Sequence, residues 1–104
     1  MFEIINDGGV TSPRGFSAGA TYAGLKTERD TLDLGILLSD FPATAAATFT
    51  QNSVISPSVI VSRNRLSNDL HRGIVVNSGC ANCSVGSQGM VDAEEMLSLA
   101  SKHL

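Results

Sequence analysis

Chemistry requires nucleophiles, bases or ligands at usable spacing, and few positions in this chain offer them. Cys80 and Cys83 form a lone C-x-x-C. Two thiolates so spaced can hold zinc or exchange disulfides, but a structural zinc site needs four ligands, and the only histidines, His71 and His103, stand at unhelpful spacings. A redox pair would open a helix in an electropositive setting that lowers the thiol pKa, whereas the flanks here are Asn and Ser. The pair reads as two ordinary loop thiols, with a metal or redox centre as its rival. His71 has no Ser or Cys partner at recognisable spacing, and His103 falls in the final turn of a helical pattern; both read as surface residues rather than general bases. Asp92, Glu94 and Glu95 suit the solvated first turns of a helix better than a paired-carboxylate site. No catalytic residue and no metal-ligand set emerges.

Residues 77–89 carry more. A strand, a Gly-containing polar loop and a helix in succession present backbone N–H groups and a positive dipole end to an anion or a developing oxyanion. Asn77, Ser78 and Asn82 add side-chain donors around Gly79. The G-x-G-x-x-G and P-loop lysine of nucleotide sites are absent. Two readings stand: Asn77, Ser78, Gly79 and Asn82 contact a substrate, or their polar groups merely hold the loop together.

The elements that position this loop are legible in outline. Residues 8–24 are rich in small side chains and alternate through Phe16, Ala18, Ala20 and Tyr22, which predicts a loop around Pro13 and then a strand. Residues 26–31 are polar and suit a turn. Leu32, Leu34, Ile36, Leu37 and Leu38 form a nearly continuous apolar run, the pattern of a strand covered on both faces, which Asp40-Phe41-Pro42 is expected to break. Residues 43–50 alternate small and polar and predict a third strand, antiparallel to the second. Ser56-Pro57 is a helix-start signal, and residues 58–66 fit a helix with Val59, Ile60, Arg63 and Leu66 on one side, although Val59-Ile60-Val61 also suits a strand. Ile74-Val75-Val76 predicts a strand running into the Asn77 loop. Met90, Ala93, Leu97, Ala100 and Leu104 recur at helical steps and form one apolar stripe, with Lys102 and His103 in the last turn as the helix dipole prefers.

Composition narrows the class. At 104 residues the chain has room for one domain, and its core must be modest. The net charge of −3 and the scattered Lys and Arg argue against nucleic acid as a partner. With 42% hydrophobic residues the chain is too apolar to be disordered, and two cysteines make no disulfide scaffold. No leader is evident at the acidic N-terminus, and Pro42, Gln51, Asn52 and Pro57 interrupt the best membrane candidate, so no membrane partner is expected and the cytoplasm is the default location. Gly, Ala, Ser and Thr supply 40 of the residues, so each position buries little area. Residues 41–62 and 73–91 contain no charge at all, and the final helical stripe has no Gly, Asn or Pro after it to stop it. The expectation is a single partial domain, 1–104, whose uncharged segments are covered by further chain or a partner subunit.

Several segments together resemble a known family. Val75-Val76-Asn77-Ser78-Gly79-Cys80-Ala81-Asn82 is similar to the Asn-Ser-Gly-Asn-Ala-Asn signature of the glutamate N-acetyltransferase/ornithine acetyltransferase (ArgJ) family of arginine biosynthesis. Gly9-Val10-Thr11-Ser12-Pro13-Arg14-Gly15-Phe16, Ala23-Gly24-Leu25-Lys26, the stretch from Phe41 to Thr50, then Asn52 and the Pro57 helix, and Gln88-Gly89 with Asp92-Ala93 resemble further family motifs in the same order. Cys80 departs from the pattern, standing where the family usually has Asn, and cysteine is only a weak donor.

The resemblance implies an α/β fold of the α+β type: a DmpA/ArgJ-like layered arrangement of mainly antiparallel strands and helices, present here in part. It also implies a precursor that cuts itself before a threonine. The resulting β chain is expected to carry an N-terminal Thr nucleophile that takes acetyl from N2-acetylornithine and passes it to glutamate in a ping-pong exchange, within an α2β2 assembly. No resident cofactor is implied, with acetyl-CoA a co-substrate in some members. None of the seven threonines here is followed by Gly, and neither lysine is followed by Gly, so the family's oxyanion pair and the segment before its cleaved bond are absent from this sequence. The chain is therefore expected to be scaffold, inactive by itself, lending at most Asn77, Ser78, Gly79 and Asn82 to the pocket. Two other readings are a stand-alone interaction or redox module using Cys80 and Cys83, and a family member that keeps the fold but has lost the chemistry.

Overall fold

The computed structural model describes residues 1–67 and 70–104. Three strands form one antiparallel sheet in the order β1 (Phe16–Thr21), β2 (Leu34–Ala43), β3 (His71–Asn77). Helix α1 (Pro57–Arg65) precedes β3, and α2 (Gln88–His103) follows it. This is the α+β arrangement the sequence predicts.

The central strand differs from expectation at its end. Asp40-Phe41-Pro42 does not break β2; the strand continues to Ala43, which pairs with His71 after a register shift from the Leu38–Gly73 pair. A bulge of this kind is where a strand tolerates proline. The Ser39 hydroxyl donates to the Phe41 carbonyl at 2.7 Å, and Arg72 Nε donates to the Ser39 carbonyl at 3.0 Å, so the irregular backbone finds partners. Residues 44–50 form no strand. The reason is topological: β1 and β3 already occupy both edges of β2, leaving no ladder for a further antiparallel neighbour.

Helix α1 begins as predicted. Ser56 Oγ accepts from the Val59 N–H at 3.4 Å, and Pro57 occupies the first turn, where its missing N–H leaves nothing unsatisfied. Its buried residues are Pro57 and Val61, one turn apart, while of the side formed by Val59, Ile60, Arg63 and Leu66 the three apolar members are half-buried and Arg63 is exposed. The helix packs on α2, where Pro57 lies against Gly89; Gly89 and Ala93 are the buried residues of the second helix. In α2 the predicted stripe points inward through Ala100, but Leu104 is 54% exposed. The helix starts at Gln88, so Asp92 lies one turn in and accepts from Gln88 Nε2 at 2.8 Å instead of serving the free N–H groups of the first turn.

The core is small. Among the described residues Val61 and Ala93 are the buried hydrophobic side chains, and no large side chain is fully enclosed. Helix α2 packs on α1 and touches β3, while neither helix contacts β1 or β2. Ile74 and Val76, alternating on one face of β3, are 59% and 56% exposed. The radius of gyration, 15.4 Å, exceeds the roughly 13 Å of a compact chain of this length.

Candidate functional site

β3 delivers Asn77 to the end of the sheet opposite Leu34. The next residue is tied down at once: the Ser78 N–H donates to the Asp33 carbonyl at 2.8 Å. Asp33 is itself buried, and its carboxylate gathers the loop that joins β1 to β2. Oδ1 accepts from the Ala23 N–H at 2.6 Å, while Oδ2 accepts from Leu25 at 2.7 Å and Lys26 at 3.0 Å. Burial pushes this carboxyl up, but the N–H groups of Ala23, Lys26, Leu25 and Gly24 pull it down further, holding it below its ordinary value of 3.8. Tyr22 donates its hydroxyl to the Lys26 carbonyl at 3.0 Å, and Lys26 Nζ donates to the Leu32 carbonyl at 3.1 Å. The Lys26 stem then lies against Gly79, whose φ is +96°; a Cβ there would come within 2.5 Å of Lys26 Cγ. Gly79 is thus required twice, by its backbone conformation and by its neighbour.

The far end of the loop is anchored to the helices. Asn82 Nδ2 donates to the Gly89 carbonyl at 2.7 Å. A Cβ at Gly89 would lie 2.5 Å from Asn82 Oδ1, 2.7 Å from Val85 and 2.9 Å from Pro57, so glycine lets the loop, α1 and α2 close on one another. Asn82 Oδ1 is buried and has no hydrogen-bond partner. Between the two anchors, residues 77–83 line an open cleft of about 400 Å³, with Ser56 and Ser58 from the start of α1 on the other side.

Asn77, Ser78, Gly79 and Asn82, the residues singled out from sequence, therefore come together along one cleft. Their donors are not all available. Asn77 Nδ2 donates to the Cys80 carbonyl at 3.1 Å, and Asn82 Nδ2 is committed to Gly89, so both amides spend a proton on holding the loop. Among the described residues, the backbone N–H groups of residues 79–83 meet no acceptor within the chain, nor does the Ser78 hydroxyl. Backbone N–H groups without an internal acceptor are of the kind that bind a carboxylate or carbonyl oxygen. Cys80 and Cys83 line the same cleft as exposed free thiols. The described residues contain no group of three His, Cys, Asp or Glu side chains able to hold a metal, and no helix long and apolar enough to cross a membrane.

Sequence reasoning missed Asp33 and Lys26. One signal was present: an acid at the start of an otherwise apolar strand, a few residues after a Gly-containing turn, has backbone donors within reach. What could not be read was that the same turn would rest against the second loop.

The arrangement matches known proteins closely. Residues 17–104 fit the model of the ArgJ family. A relative in Dehalococcoides mccartyi, the arginine biosynthesis bifunctional protein ArgJ, is 47% identical over 98% of this chain. The chain belongs to the ArgJ family. The protein of the same name from Geobacillus kaustophilus is 39% identical over 94% of the chain. Among solved structures, ArgJ from Bacillus halodurans superposes with a TM-score of 0.84 at 34% identity, covering 91% of this chain and 49% of that one. Ornithine acetyltransferase from Mycobacterium tuberculosis, crystallised in complex with ornithine, gives 0.76 at 36% identity, covering 84% and 45%. The chain spans about a quarter of the length of the full relatives.

Proposed function

We propose that this ArgJ-family chain is the N-terminal part of the α chain of an ornithine/glutamate acetyltransferase in arginine biosynthesis. The observation that carries the reading is the family match along nearly the whole chain, with the Asn77–Ser78–Gly79 corner lining a cleft. In the reaction, a threonine hydroxyl at the N-terminus of a β chain attacks the acetyl carbonyl of N2-acetylornithine, with its own α-amine taking the proton. The C–N bond breaks, ornithine leaves with a proton, and the acetyl group remains as a threonine ester. The glutamate amine then attacks that ester, and the threonine recovers its proton. A Thr-Gly pair outside this sequence stabilises the oxyanion of each step.

This chain supplies scaffold and one wall. Its free N–H groups at 79–83 and the Ser78 hydroxyl suit the carboxylate of an amino-acid substrate, and no resident cofactor is needed, acetyl-CoA serving at most as an alternative donor. The β chain, an α2β2 assembly and a cytoplasmic location belong to the same reading. The coverage figures support processing: the chain fills 25% of a full relative but 49% of a crystallised chain, as when the full polypeptide is found in two pieces. That the solved mycobacterial relative holds ornithine supports the substrate class.

The test uses the full-length protein. It should purify as two chains, one beginning with threonine, and should transfer acetyl from N2-acetylornithine to glutamate with an acetylated threonine detectable by mass spectrometry. An intact single chain without transfer overturns the proposal. Two chains without transfer would instead mark a family member that has lost its chemistry, with Cys80 the first position to revert to Asn.

A further inference from the structure

The 23–33 turn lies outside the cleft, yet it meets the cleft's Asn77–Gly79 corner at two points, Asp33 and Lys26. The Asp33 carboxylate fixes the backbone of Ala23, Leu25 and Lys26 through three short bonds, and the carbonyl of the same residue receives the Ser78 N–H. Lys26, placed by that carboxylate, is held at both ends. Its carbonyl accepts from Tyr22, and its ammonium donates to Leu32. Its stem lies against Gly79, at the point where φ turns positive and the backbone enters the cleft.

From these contacts we infer that Asp33 and Lys26 are positioning residues for substrate binding: a carboxylate-clamped turn that sets the angle at which residues 79–83 present their N–H groups. The inference rests on the reading of that loop as a substrate wall. Neither side chain lines the cleft, so neither touches substrate. The aliphatic stem of Lys26, rather than its charge, buttresses Gly79. Donors in a preset orientation bind a substrate oxygen without first paying to order the loop, so loosening the buttress weakens binding before it slows the chemical step.

The experiment is steady-state kinetics on the full-length two-chain enzyme carrying Lys26→Ala, Lys26→Met or Asp33→Asn. Lys26→Ala is expected to raise KM for N2-acetylornithine about tenfold with kcat within about twofold of wild type. Lys26→Met, which restores an unbranched stem without the charge, should recover most of that loss. Asp33→Asn should raise KM in the same manner where the variant folds, and the Lys26 pair decides the matter where it does not. Unchanged KM in Lys26→Ala overturns the inference, as does Lys26→Met behaving like Lys26→Ala, which would assign the effect to the ammonium. A fall in kcat alone also overturns it. If the wild-type enzyme transfers no acetyl group, the proposed function fails first, and the kinetics of the variants play no part in that result.

Discussion

At the residue scale, two glycines with similar backbone angles separate two causes of strain. Gly79 and Gly86 have φ of +96° and +71°, but a Cβ at Gly86 meets nothing within 4 Å whereas one at Gly79 strikes the Lys26 stem. Gly86→Ala should cost about 1–2 kcal/mol, the left-handed penalty alone. Gly79→Ala should cost more, and thermal denaturation of the enzyme would show the gap; equal losses would mean that the Lys26 contact is not there in solution. Asp33 adds a pH dependence. Its carboxyl is held below its ordinary value in the folded state, so its stabilising contribution is complete above about pH 4 and is lost as pH falls through the lower, folded value. The difference in melting temperature between wild type and Asp33→Asn should therefore be greatest near neutrality and shrink in acid. A difference that is constant with pH would remove the charged carboxylate from the account.

At the scale of elements, the joint between the helices depends on small residues. Gly89→Ala forces a methyl group toward Asn82, Val85 and Pro57 and should destabilise by about 1–3 kcal/mol. Val61, 2% exposed, should cost about 1.5–3 kcal/mol as Val61→Ala. The Arg65–Glu94 ion pair joins the same helices at 2.6 Å, but both side chains are about half exposed, so Arg65→Ala should cost no more than about 1 kcal/mol. Chemical denaturation should rank Arg65→Ala below the other two; an ion-pair loss equal to theirs would place the strength of the joint in charge rather than packing. Much of this level was legible. Ser56-Pro57 announced the first helix, and Met90, Ala93 and Leu97 the second, because caps and periodicity act within a few residues. Val61 was not legible, since the facing surface of α2 decides which side of a β-branched helix is buried. The strand expected over residues 43–50 failed for a similar reason: alternation describes a segment's fitness for a sheet, while the availability of an edge belongs to the sheet.

At the scale of the whole molecule, surface composition governs behaviour. Phe2, Ile4, Phe41 and Val54 are at least three-quarters exposed, and among the described residues neither helix packs on β1 or β2. Monomeric soluble proteins seldom leave so much apolar surface in contact with water. Expressed alone, residues 1–104 should bind a hydrophobic dye strongly and self-associate in size-exclusion chromatography; a dispersed monomer with little dye binding would show that these surfaces need no cover. The amino-acid sequence by itself determined the order of the three paired strands and two helices, the start of the first helix, the lack of a nucleotide-binding motif, and the four cleft residues Asn77, Ser78, Gly79 and Asn82. All of these depend on side chains near one another along the chain. Only the tertiary structure decided that Asp33 and Lys26 meet the same corner from some fifty residues away, that each of the two Asn amides gives a proton to the loop, and that β2 runs through its proline. Each of those outcomes depends on which backbone groups meet across the sheet, and local sequence does not encode that meeting.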